Sequence, residues 1–193
     1  MSRIALDQVV EIIRGTPLDR KARADTGVLV FGLDDLSERE TDLPPYIPEA
    51  ALPRSTHRLR DRDLVIALVG EIGRVAFIGK EQEGAVLDRE CAALRLYPGN
   101  NPVTPEWLHV WMHSRDFRIQ IEPRQRGATM QRVRADDLLT LQLPLASKDY
   151  QLEAAHELNE YDEALCLAER QVEILREMRD NTVDLRVYAG MDA

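Results

Sequence analysis

One stretch limits the fold more than any other. From about Lys148 to Val187 no Gly or Pro interrupts the chain, and apolar residues fall at Leu158, Tyr161, Leu165, Ala168, Val172 and Leu175. The steps between them are 3, 4, 3, 4 and 3. That alternation is the a/d seam of a coiled coil, and it continues less cleanly through Met178, Thr182 and Leu185. About forty residues at ~1.5 Å each make a rod of about 60 Å. A rod of that length cannot bury its whole stripe on a domain built from the preceding 146 residues. The stripe therefore calls for a partner: a second copy of the chain, another protein, or both. The competing expectation is a C-terminal helix packed mainly on its own domain.

Charge divides the chain in the same place. The net charge of -9 over 193 residues argues at first against nucleic acid. Residues 147–193 carry -7 of it, leaving -2 for residues 1–146. Between Arg115 and Arg134, six Arg face only Asp116 and Glu122, a net of +4. The acidity thus belongs mostly to the rod, and a basic stripe precedes it. Such a stripe fits a phosphate footprint and fits a solvated face equally well. No window approaches the length of a membrane span, and the N-terminus lacks a secretory h-region. Cys91 and Cys166 stand far apart, as expected of a reducing cytoplasm rather than a disulfide framework.

The remaining elements follow from local signals. Leu6–Ile13 is mostly apolar and ends in the turn Arg14-Gly15-Thr16-Pro17. Residues 19–25 are polar and read as a loop or short helix. Val28–Leu33 has the look of a buried strand, and 34–62, with four prolines, of a long irregular loop. Leu64–Val69 and Arg74–Ile78 flank Gly70-Glu71-Ile72-Gly73 as a hairpin. Ala85–Leu87 and Cys91–Leu96 add two further strands. Thr104 caps a helix that has Pro105 at its first position and is expected to run to Ile121, burying Leu108, Trp111, Met112, Phe117 and Ile121. Arg124–Arg134 is a basic loop, Ala135–Thr140 a helical turn and Leu141–Leu145 a short strand.

No catalytic constellation emerges. Gly70-x-x-Gly73 lacks the Lys-Ser/Thr of a phosphate loop. In Leu43-Pro44-Pro45-Tyr46 the first position cannot accept hydrogen bonds, as an amino-methyltransferase motif requires. His109 and His113 are four apart, but Val110 stands where a zinc protease places its Glu. Ser114 and Cys91 have no activating neighbours, and Asp88 and Glu90 lack a usefully spaced nuclease Lys. No metal or cofactor is expected.

From Arg58 onward the chain resembles the target recognition domains of the specificity (S) subunits of type I restriction-modification enzymes. Arg58–Ile66 resembles the lead into a central strand, and Gly70–Ala76 the hairpin turn. Gly84–Leu87 and Leu94–Leu96 resemble the following strands, and Pro105-Glu106-Trp107-Leu108 the helix start. Arg126–Val133 resembles the Gly-Ser/Thr-Thr loop, and Asp137-Leu138 with Leu143-Pro144-Leu145 the closing helix and strand. Val9–Pro17 resembles the family's opening segment. Where the family has Pro-Pro and a Glu-Gln pair at the start of its long helix, 146–150 intervene and only Gln151 matches the pair. The usual subunit has two recognition domains and two such helices; this chain has one of each.

The resemblance implies an α+β fold: one mixed α/β target recognition domain with a twisted β-sheet over 1–146, then a long coiled-coil helix over 147–189. It implies a non-catalytic chain that reads one half-site of double-stranded DNA and positions a DNA adenine methyltransferase subunit. A single-domain chain would form a homodimer through its helix and read a symmetric split target. By residue type, Gln131 and Arg132 beside Thr129 are candidate base readers. Arg124, Arg126 and Arg134 are candidate phosphate contacts, as are Arg20, Lys21 and Arg23 beside Thr16, and Arg74 at the hairpin. Other readings are an interaction adaptor of the same fold that has lost DNA binding, a nuclease with an unrecognised site, and a reader of modified DNA.

Overall fold

A computed structural model describes residues 2–37 and 41–191, except for the side chains of 37, 180, 181 and 183–191. Leu185, at the end of the expected seam, lies among those side chains. Contacts between Cα atoms divide the chain into two units, residues 1–152 and 153–193.

The first unit is built on a four-stranded sheet in the order β2 (Val10–Arg14), β8 (Cys91–Leu96), β5 (Leu64–Ala67), β6 (Val75–Phe77). All its pairings are antiparallel. Burial follows position in the sheet. Every residue of β5 is buried, as is Cys91–Leu94 of β8, because both inner strands are covered on two faces and so need continuous apolar runs. The edge strand β2 is less covered, burying Val10 and Ile13 and exposing Glu11 and Arg14.

A second sheet places β3 (Val28–Phe31) between β4 (Tyr46–Ile47), antiparallel, and β7 (Val86–Leu87), parallel. Phe31 and Leu87 from this sheet meet Ile13, Val65, Ala67 and Ala93 from the first in a shared core. The long 34–62 segment therefore contains structure that its prolines disguise: α1 (Leu33–Ser37) and β4. A third pairing, β1 (Arg3–Ala5) with β9 (Gln142–Pro144), ties the N-terminus to the end of the domain.

The expected helix over 105–121 is two helices, α2 (Pro105–His113) and α3 (Arg115–Ile121). Ser114 takes an extended conformation (ψ 159°), and its hydroxyl accepts from Phe117 N at 3.2 Å. It is an N-cap in mid-run, which ends one helix and starts the next. The bend still buries Leu108, Trp111, Met112, Phe117 and Ile121. Thr104 caps α2, accepting from Trp107 N at 3.1 Å.

Asp116 ties this corner to the N-terminal strand. Its carboxylate accepts from Arg3 at 2.8 Å, Trp111 Nε1 at 2.8 Å and Gln120 at 2.9 Å. The Arg3 guanidinium above all holds the Asp116 carboxyl down at about 2. After α4 (Ala135–Leu139) and β9 comes α5, Lys148–Met191. Its first turn belongs to the first unit. Gln151, fully buried there, accepts from Thr104 N at 2.9 Å and donates to Pro102 O at 2.8 Å and Ala146 O at 3.0 Å. In the second unit Leu158 is half-buried, while Tyr161, Leu165, Ala168, Val172 and Leu175 are exposed. No helix among the described residues is long and apolar enough to cross a membrane.

Candidate nucleic-acid interface

The basic loop is a closed structure. Arg126 N donates to Arg132 O at 2.9 Å and Arg132 N to Arg126 O at 2.8 Å, so the backbone is pinched at a neck. Gly127 makes this possible. Its φ is +109°, and a Cβ there would stand 2.4 Å from Met130 O. The neck is fastened to the end of β5: Val133 N donates to Leu68 O at 2.9 Å, Gly70 N donates to Gln131 O at 3.3 Å, and Val133 is buried. Thr129, Gln131, Arg132 and Arg134 are all exposed on this anchored backbone.

The opening segment is held on the same connection. Thr16 N donates to Leu87 O at 2.7 Å and Gly15 N to Cys91 O at 3.3 Å, while a Cβ on Gly15 would overlap Asp88 O at 1.9 Å. Leu68 N donates to Glu90 O at 2.9 Å. The turn around Thr16, the 88–90 connection and the basic loop are thus stitched in sequence by main-chain hydrogen bonds. After Thr16, Asp19 caps a short turn by accepting from Lys21 N at 2.9 Å, leaving Arg20 and Lys21 exposed.

The cations differ in how they are employed. Arg20, Lys21, Arg132 and Arg134 make no ion pair among the described residues. Arg74 pairs with Glu71 at 2.9 Å and Arg126 with Asp137 at 3.5 Å. Arg124 donates to Thr140 Oγ1 at 3.0 Å and to Gln120 O, and Arg23, half-buried, donates to Pro44 O at 3.4 Å. These four already serve the fold. Acids also crowd the connection: burial first, and then the charges of Asp88, Glu90, Asp35 and Asp34, push the Cys91 thiol up to about 12. No group of three metal-binding side chains occurs among the described residues.

Beside the loop lies a cleft of about 740 Å³ between the hairpin turn and α3. Arg74 and Gln131 line it, and Arg118, Gln125 and His113 line it with them. Its floor is the apolar packing of Met112, Phe117 and Ile121. Arg118 and Gln125 are not among the residues expected from the sequence, although both lie in the same +4 stripe. Arg20 and Arg23 line another concavity, with Asp34, Asp35, Asp88 and Glu90.

No family model matches the chain. A curated relative, the type I restriction enzyme EcoBI specificity subunit of Escherichia coli, is 23% identical over 135 residues, covering 68% of this chain and 27% of the relative. The S subunit of a type I restriction-modification system from M. genitalium superposes with a TM-score of 0.62 at 17% identity, over 93% of this chain and 44% of that one. The HsdS subunit from Thermoanaerobacter tengcongensis gives 0.59 at 18% identity, over 88% and 39%. A chain from a structure on complex assembly and conformational transition of the type I R-M system gives 0.64 at 17% identity, over 88% and 40%. This chain spans less than half the length of each of them. Its fold, a mixed α/β domain followed by a long C-terminal helix, is shared with these specificity subunits over most of this chain.

Proposed function

We propose that the chain is a non-catalytic DNA-recognition module, built like half of a type I specificity subunit, which reads one half-site in double-stranded DNA. The observation that carries this most is the likeness of nearly the whole chain to that fold, joined to an anchored loop that exposes Thr129, Gln131, Arg132 and Arg134. Gln and Arg supply the two-pronged geometry that distinguishes adenine and guanine in the major groove. Arg20, Lys21 and Arg134 are the phosphate-holding candidates without an ion pair among the described residues, whereas Arg23, Arg74, Arg124 and Arg126 act first through the loops they brace.

The long helix supplies the partners. Beside the a/d stripe runs a second stripe, Ala164, Leu167 and Ile174, offset by one residue or about 100° around the axis. Leu167 and Ile174 are 64% and 48% exposed. Two adjacent apolar faces suit two neighbours: a second copy of the chain, giving a homodimer on a symmetric split target, and a DNA adenine methyltransferase subunit. Micromolar self-association needs about 8 kcal/mol. Six seam side chains per helix at ~1.5 kcal/mol or more exceed that before ordering costs.

The test combines light scattering after gel filtration with gel-shift titration at low salt. A mass near twice 22.0 kDa is expected. Gln131→Ala with Arg132→Ala should weaken the selected duplex more than an unrelated one, and Arg134→Ala should flatten the salt slope by about 0.9. No DNA binding at all would favour the adaptor reading, to which the acids at Asp34, Asp35, Asp88 and Glu90 lend support.

A further inference from the structure

We infer that the cleft between the hairpin turn and α3 is a base-reading site, and that Arg118 and Gln125 are specificity-determining residues alongside Gln131. The inference rests on the proposed DNA-recognition role and goes beyond it by assigning residues outside the basic loop.

Charge is the first argument. The cleft is lined by two guanidiniums, Arg74 and Arg118, and two carboxylates, Glu71 and Glu122. Arg74 is already paired with Glu71 at 2.9 Å. A lining that balances to zero is poor for phosphate, which seeks a net positive surface. It suits a neutral group recognised by hydrogen bonds, and in DNA that group is a base edge. Arg134, the loop's phosphate candidate, is not among the lining residues, so its contact and the cleft fall on separate surfaces.

Availability is the second argument. Arg118 is exposed and makes no ion pair among the described residues; its one hydrogen bond is a long 3.5 Å contact to His113 O. The side-chain amides of Gln125 and Gln131 have no hydrogen-bond partner among the described residues. Yet their backbones are fixed: Gln125 N donates to Glu122 O at 3.1 Å, and Gln131 O accepts from Gly70 N at 3.3 Å. They stand on either side of the pinched neck. Fixed backbones carrying unengaged two-pronged groups, over an apolar floor, are what direct readout needs. Arg118 matches the O6/N7 edge of guanine and each amide the N6/N7 edge of adenine.

The experiment selects bound duplexes from a randomised pool, using the full chain and its Arg118→Ala, Gln125→Ala and Arg134→Ala variants. Thermal melts check that the three substitutions leave the fold intact. Arg118→Ala and Gln125→Ala should each relax one position of the selected sequence and weaken binding to the wild-type optimum by about 5- to 150-fold. Their salt slopes should match wild type. Arg134→Ala should keep the selected sequence and lower the slope. If the wild type selects a defined sequence and both cleft variants select the same one with unchanged affinity, the inference falls while the proposed function stands. Equal losses on all duplexes also refute it, since that marks phosphate contact. A wild type that binds no duplex overturns both.

Discussion

Replacing Gln151 tests whether the start of the long helix is clamped to the recognition domain by one side chain. The amide is 0% exposed and completes three hydrogen bonds to main-chain groups at Thr104, Pro102 and Ala146. Gln151→Ala deletes all three and opens a void. A buried group left unpaired costs ~1–3 kcal/mol. Pro102 is itself exposed, so water can satisfy its carbonyl, and the three together come to about 3 kcal/mol rather than the full sum. With a urea m-value of ~2 kcal/mol per molar, the midpoint should fall by about 1.5 M. Gln151→Glu sharpens the test. A carboxylate can still accept from Thr104 N, but it cannot donate to the two carbonyls and would be charged where no cation is bonded to it. It should be at least as damaging as Ala. Urea titration followed by tryptophan fluorescence is a direct assay, because Trp107 stands in the first turn of the helix that Thr104 caps. A loss under 0.5 kcal/mol for Gln151→Ala, or a Glu variant as stable as wild type, would refute the clamp.

Other substitutions probe the parts that hold the site. Asp116 has its carboxyl depressed to about 2 from an ordinary 3.8, so its share of stability is present above about pH 3.8 and is lost as pH falls towards 2. The melting-temperature gap between wild type and Asp116→Asn should therefore be widest at pH 5 and close by pH 2; a gap independent of pH would sink this account. Asp63, 2% exposed, accepts from Arg95 at 2.8 and 2.6 Å and from Arg60 N at 2.8 Å. Asp63→Ala strands a largely buried guanidinium and should cost ~3 kcal/mol in denaturant titration, against which a near-neutral result would count. Gly127→Ala must force a side chain into 2.4 Å of Met130 O at φ +109°. It should weaken DNA binding by the selected-sequence assay while moving the domain's melting temperature little, because the loop lies outside the core; unaltered binding would show that the neck geometry does not matter.

Much of this was legible because the signals are local. The two glycines of the hairpin, Gly70 and Gly73, both take positive φ (71° and 88°), as a tight strand reversal requires. Thr104-Pro105 starts a helix through one hydroxyl and one ring. The heptad run lies in a helix from Lys148 to Met191, as expected from a run with no Gly or Pro between Lys148 and Val187. What escaped depends on distant partners. β3 chooses β7, 56 residues on at the Val30–Val86 register, and no local pattern announces that. The break at Ser114 has neither Gly nor Pro; its quieter signal is Ser before an acidic first turn with Phe117 three residues on, which sits inside a pattern that reads as one helix. Among the site residues, charge marked the stripe but could not tell that Arg126 would be committed to Asp137 while Arg132 would not, since that depends on where α4 lands.

The reciprocal bonds between Arg126 and Arg132 have an evolutionary consequence. Residues 127–131 are enclosed by main-chain contacts made by their flanks, and only Gly127 within them is fixed by backbone shape. The other four positions are exposed, so substitutions there cost the core little. On the proposed reading such a segment is a cassette: related chains could exchange it, or accumulate substitutions in it, and alter the target at little expense in folding stability. Together with the cleft residues Arg118 and Gln125, it would let specificity change through a handful of codons, leaving the long helix and whatever it binds untouched.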